Sequence, residues 1–274
     1  MKPNAYKKVC LALGACMALA SMSFDAAASK KVGIVAHRGY WNCEEAGYAR
    51  NSIAALACAQ KAGFFGSEFD VNITSDGVPI VVRDGTIDGK VIAEHPYSEF
   101  KDIVLENGEK IPTLEQYLIQ GKKSRKTMLV CELKDQPSRE IEDRLLDAVV
   151  AELKKQHLYK PGRVMFISFS RYLCDRVAAE MPQFTNQYLG SLLDPADLHS
   201  SGINGIDFHY SVFTKHPDWY PMARKLGMSV NCWTVNNEDA MNAMIELGVD
   251  FITTGKPDLL RDTVRSVGVK EGKR

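Results

Sequence analysis

The apolar positions of this chain follow two alternating rhythms. Short β-branched runs at residues 32–36, 67–73, 128–133 and 164–168 have the length and composition of strands. Between them the apolar spacing lengthens to three and four residues, and each stretch carries helix punctuation. Asn51 caps a helix through Lys61, with Ile53, Leu56 and Ala57 on one face and Gly63 as its stop. Thr113-Leu114-Glu115-Gln116 is a capping box opening a helix that ends near Gly121. Ser138 caps a longer helix whose Ile141, Leu145, Val149 and Leu153 recur every fourth residue, and residues 171–181 form another. Weaker strands follow at 187–189, 205–209, 229–234 and 250–253, with a helix over 238–247 that stops at Gly248.

One strand breaks the alternation. Asp76-Gly77 predicts a two-residue hairpin turn that pairs Ser75 with Val78, and onward until Asp70 faces Arg83. Residues 78–83 then return antiparallel beside the second strand, and Pro79 suits such an edge. Setting that strand aside leaves eight. Eight βα units in about 250 residues predict an α/β fold of the TIM (β/α)8-like barrel type. A doubly wound open sheet is the alternative.

The first 28 residues stand apart from this pattern. Lys2, Lys7 and Lys8 precede an apolar stretch over 9–24, and Ala26-Ala27-Ala28 offers a cleavage site before Ser29. That is a secretory signal pattern, so the expected product is one exported domain over 29–274, periplasmic or extracellular. Leu13-Gly14-Ala15-Cys16 also resembles a lipobox, which would place a lipid on Cys16. No second segment approaches the ~20 apolar residues of a membrane span. The 34 basic and 34 acidic residues balance, giving no support for nucleic-acid binding, and no basic run suggests a membrane-surface anchor. Outside the leader, Cys43, Cys58, Cys131, Cys174 and Cys232 are scattered without a C-x-x-C and suit small core positions better than disulfides.

Charged triplets close the early strands. His37-Arg38 leaves the first, Glu68 and Asp70 share one face of the second, and Glu132 and Lys134 share one face at the end of the third. In a barrel these ends converge on the C-terminal face, where active sites lie. Three carboxylates there would hold one divalent cation, and oxygen-only ligation suits Ca²⁺ or Mg²⁺. Arg38 and Lys134 can neutralise a bound phosphate. Plainer readings exist for single residues: Asn51 as a cap, Trp233 as core, His37 as a hydrogen-bonded structural histidine.

His37-Arg38-Gly39, Asn51-Ser52, Glu68-Phe69-Asp70-Val71, Thr74-x-Asp76-Gly77, Val81-Val82-x-Asp84, Glu132-Leu133-Lys134 and Trp233-Thr234-Val235-Asn236 together resemble the glycerophosphodiester phosphodiesterase family over about residues 33–258. The resemblance implies a TIM-like barrel with a small insertion after the second strand, which accords with the hairpin. It implies one divalent cation on the residues matching Glu68, Asp70 and Glu132. It implies hydrolysis of a small-molecule glycerophosphodiester to an alcohol and glycerol 3-phosphate, with two histidines as acid and base. His37 matches the first. Where the family carries the second, this chain has Arg83, which cannot exchange a proton near neutral pH. His209, at the end of the sixth strand, and His95, on the insertion, are the candidate replacements. Asn51, His209 and Trp233 join Arg38 and Lys134 as candidate substrate contacts. The other readings are a phosphoester- or anion-binding protein on the same scaffold, and a phosphodiester lyase needing one acid–base residue.

Overall fold

A computed structural model describes residues 31–274; the expected leader over 1–28 and Cys16 lie outside the described residues. Eight parallel strands close into a barrel: β1 (Lys31–Ala36), β2 (Gly66–Ile73), β6 (Met128–Leu133), β7 (Val164–Ser168), β8 (Thr185–Tyr188), β9 (Gly205–His209), β10 (Ser229–Trp233) and β11 (Phe251–Thr254). Closure is explicit, because β1 pairs with β11 on one side and with β2 on the other. That pairing excludes the open doubly wound sheet. Helices α1 (Ile53–Ala62), α2 (Leu114–Gly121), α3 (Arg139–Lys155), α4 (Arg171–Glu180), α5 (Pro195–Ser200), α6 (Val212–Lys215), α7 (Trp219–Lys225), α8 (Glu238–Leu247) and α9 (Pro257–Ser266) follow the strands. Among the described residues no helix is long and apolar enough to cross a membrane.

Alternation along each strand separates two cores. Outward residues such as Ile34, Ile206 and Phe208 pack under the helices. Inward residues Val35, Val130, Met165, Ile167 and Leu189 fill part of the barrel. The remainder of the interior is polar, with Gln187, Asp207, Asn231 and Thr253 buried.

The segment between β2 and α2 is the insertion, and it has its own small core of Ile80, Ile92, Phe100 and Ile111. It holds the edge strand β3 (Pro79–Val81) and a second hairpin, β4 (Thr86–Ile87) with β5 (Lys90–Val91), turning at Asp88-Gly89. That second Asp-Gly dipeptide carries the same turn signal as the first. The first turn differs in register. Val71 faces Val81 and Asn72 faces Ile80, so Asp70 lies opposite Val82 rather than Arg83. The cause is local: the Thr74 hydroxyl accepts from Val78 N–H, and Gly77 at φ +84° closes a three-residue loop. A short strand, β12 (Lys270–Gly272), adds to the outer edge of β1.

Two further expectations change. Ser52, not Asn51, caps α1, accepting from Ala55 N–H at 2.9 Å. The expected lack of a basic run is also wrong, since Lys122, Lys123, Arg125 and Lys126 crowd the loop entering β6. That loop lies at the barrel's N-terminal face, opposite the strand ends that carry the charged triplets. The five cysteines are free: Cys131, Cys174 and Cys232 are buried as expected, while Cys43 and Cys58 are partly exposed.

The insertion is fastened to the barrel through Glu109. Its carboxylate accepts from Ile53 N–H at 2.8 Å and from Ala54 N–H at 3.1 Å, the unpaired donors of the first turn of α1. Replacing Glu109 with Ala should cost about 1–2 kcal/mol of unfolding free energy in urea, the usual worth of a helix cap. A change below about 0.3 kcal/mol would show that the insertion is held by its apolar contacts alone.

Candidate active site

Strand register brings the acidic residues together. Asp70 and Glu132 are partners on neighbouring strands, and Glu68 lies two residues below Asp70 on the same inward face. Their oxygens lie within 4.8 Å of one another, and the three residues are 1%, 2% and 7% exposed. Burial and then the charges of Asp70 and Glu132 push the Glu68 carboxyl well above its ordinary range. Burial and Asp70 push Glu132 up to about 7.

The chain answers this concentration of negative charge with cations and donors. Arg38 sits at φ +58°, donates its backbone N–H to Glu68 Oε2 at 2.7 Å and brings Nε to 3.4 Å from Asp70 Oδ2. Lys134 Nζ lies 2.6 Å from Glu132 and 3.6 Å from Asp70. Burial works against its charge, but the two carboxylates hold its ammonium above the ordinary value. Asn51, at φ +58°, donates Nδ2 to Asp70 Oδ2 at 2.8 Å and accepts from Asp70 N–H. Its work is to orient a carboxylate, and the next residue does the capping. His37 Nε2 is 3.9 Å from Glu68 Oε2. Burial, then Arg38, and further the charges of Arg50 and Arg83, push its imidazole down to about 3 and keep it neutral.

All of these groups but Asn51 line one cavity of about 150 Å³ at the C-terminal strand ends, together with Arg83, Phe169, Leu189, Asp207, Trp233 and Thr253. Arg83 reaches it from the rim, with Nη1 held 2.6 Å from Asp84 and more than half its side chain exposed. Trp233 forms a wall, its indole donating to the Asp207 carbonyl and its ring standing edge-on to Phe169 and His209.

Two candidates stand aside. His209 bonds the Ser211 hydroxyl at 2.8 Å and is not among the cavity-lining groups. His95 pairs with Glu99 on the insertion, edge-on to Phe100, and does not fold over the site. Asp207 was missed by sequence. It is 1% exposed, and neither of its carboxylate oxygens has a hydrogen-bond partner among the described residues. The available signal was its place between Ile206 and Phe208, which face outward and so force Asp207 inward.

A buried triad of this kind fits a divalent cation. Glu68 Oε1 has no hydrogen-bond partner, and the Glu68 and Glu132 carboxyls are driven toward the neutral form by burial and by the charge of Asp70. The donor set is all oxygen, as Ca²⁺ and Mg²⁺ prefer.

A barrel with its polar groups gathered at the C-terminal strand ends is the architecture of an enzyme. The model of the glycerophosphoryl diester phosphodiesterase family matches residues 37–259, and the chain belongs to that family. The glycerophosphodiester phosphodiesterase of Caldanaerobacter subterraneus is 29% identical over 260 residues, covering 87% of this chain and all of the relative. A crystal structure of a glycerophosphodiester phosphodiesterase from Parabacteroides distasonis is 40% identical, with a TM-score of 0.83, over 87% of this chain and 99% of that one. An Oleispira antarctica phosphodiesterase, solved in complex with the product sn-glycerol 3-phosphate, shares the fold at 23% identity and a TM-score of 0.71, over 85% of this chain and 96% of that one.

The raised carboxyls carry a stability signature. A folded carboxyl titrating near 7 against an ordinary 4.5 binds more protons than the unfolded one in that window, so stability falls as pH rises through it. His37 acts oppositely: its depressed value adds stability as pH rises from about 3 to 6.5 and is constant above that. Between pH 6.5 and about 8 only the carboxylates act. With EDTA the melting temperature should therefore drop across this interval, and saturating Ca²⁺ or Mg²⁺ should remove the drop. An equal drop with and without cation would contradict the site.

Proposed function

We propose that the chain is an exported, metal-dependent phosphoric diester hydrolase that cleaves glycerophosphodiesters to an alcohol and glycerol 3-phosphate. The supporting observation is the buried Glu68–Asp70–Glu132 cluster with Arg38, Lys134 and neutral His37 around it. Family membership supports the substrate class, and the leader pattern of residues 1–28 supports export.

Glu68, Asp70 and Glu132 would hold one Ca²⁺ or Mg²⁺, which when bound supplies a Lewis acid for the phosphoryl oxygens. Asn51 keeps Asp70 turned toward that position. Arg38 and Lys134 exchange part of their pairing with the carboxylates for the phosphate, and Arg83 adds a third positive charge from the rim. His37 is unprotonated, so it can accept the proton released as the new P–O bond forms. The departing alkoxide must then take its proton from water or back from His37, and not from Arg83, whose guanidinium keeps its proton. That step sets the cost of the altered residue, since one acid–base group is worth about 10²–10⁴-fold in rate.

Arg83 favours a second reading, a phosphoester-binding protein that has kept the scaffold and given up turnover. One assay separates the two: release of glycerol 3-phosphate from glycerophosphodiesters with Ca²⁺, Mg²⁺ or EDTA, for wild type, Arg83→His and His37→Ala. Hydrolysis predicts EDTA-sensitive activity in the wild type, a gain of about 10²-fold or more in R83H and loss in H37A. A wild type inert with every cation, alongside an active R83H, would leave only the binding reading.

A further inference from the structure

Asp207 is a carboxyl where barrels of this kind carry branched apolar side chains. Strand β9 presents Gly205 and Asp207 to the interior, while Ile206 and Phe208 face the helices. Below it the barrel is closed at Gly205, where a Cβ would lie 2.3 Å from Ser229 Oγ and 2.6 Å from Gln187 Cγ. The amide of Asn231, opposite Asp207 in register, is the neighbouring side-chain donor, and it is engaged with Thr253 Oγ1 at 3.0 Å. Both Asp207 oxygens are thus buried, unpartnered and directed into the cavity that His37, Arg83 and the acidic triad line.

Leaving such a group without a partner costs roughly 1–3 kcal/mol, and buried polar groups in native proteins are paired. Its partner therefore comes with the ligand. Asp207 is outside the set of three carboxylates whose oxygens cluster within 4.8 Å, so the cation position does not account for it. Ile167, Leu189 and Trp233 beside it make that part of the cavity apolar. Two buried acceptor oxygens without a hydrogen-bond partner suit a ligand hydroxyl, which brings its own proton to the bond.

We propose that Asp207 is a specificity-determining residue that binds a hydroxyl of the glycerol half of the substrate, on the floor of the phosphoester site. This rests on the phosphodiesterase reading, and names within it the group that distinguishes a polyol phosphate from a plain alkyl phosphate. A site built to hydrogen-bond a hydroxyl rejects the analogue lacking it strongly, because the buried group is then left unpaired.

The test is calorimetric binding of two ligands to the protein in saturating Mg²⁺ or Ca²⁺: glycerol 3-phosphate, and n-propyl phosphate, which has the same carbon skeleton and no hydroxyls. Wild type should favour glycerol 3-phosphate by at least about tenfold. Asp207→Leu should bring the ratio close to one, and Asp207→Asn, which keeps the size and one acceptor, should fall between. A ratio that survives in D207L, or affinities for both ligands that fall together in D207N and D207L, would overturn the proposal. If wild type binds neither phosphate, the phosphodiesterase reading fails and the role of Asp207 fails with it. If wild type binds both equally, only the role of Asp207 fails.

Discussion

Three carboxylates enclosed in one corner of a barrel repel one another, and much of the surrounding structure exists to keep them there. Parallel pairing of β2 with β6 sets Asp70 beside Glu132, and the two-residue period adds Glu68 below. Arg38 and Asn51 adopt left-handed backbone conformations, which non-glycine residues seldom do, to bring their polar groups onto those carboxylates. The loop after β1 is folded into that shape by Ser52 capping α1 and by Glu109 reaching from the insertion to the same helix end. The insertion is thereby linked to the acidic cluster through a short chain of contacts, although most of it lies far from the cavity.

The same repulsion explains the chemistry. Left to itself the cluster takes up protons, and a divalent cation would replace them. The flanking Arg38 and Lys134 are paired to carboxylates rather than free, so a phosphate competes for charges already in use. His37 is depressed by burial and by neighbouring guanidinium groups, and an arriving phosphate would relieve part of that depression. Arg83 changes the balance of the site by adding charge where a proton carrier is expected. In the proposed hydrolysis the consequence would fall on the leaving group and spare the acidic cluster.

Much of this was legible in the sequence because it rests on local periodicity. Eight strand signals gave the barrel, and triplets at their ends placed Glu68, Asp70 and Glu132 on one face. What was missed depends on geometry that spacing does not encode. Asn51 has the composition of a cap, yet its positive φ turns the side chain to Asp70 and leaves Ser52 to cap. Asp76-Gly77 suggests a two-residue turn, and the Thr74 hydroxyl shifts the register by one. Asp207 carries no motif; its importance appears only when the barrel closes and leaves its oxygens without partners. His209 occupies the predicted strand end, but it bonds Ser211 and is not among the cavity-lining groups.

Titration calorimetry of Ca²⁺ and Mg²⁺ into the protein at pH 7, repeated in two buffers of different ionisation enthalpy, tests the central claim most directly. The raised Glu68 and Glu132 carboxyls predict one cation bound per chain with release of protons to the buffer, and loss of both signals in Glu132→Gln. Binding without proton release, or no binding of either ion, would contradict it.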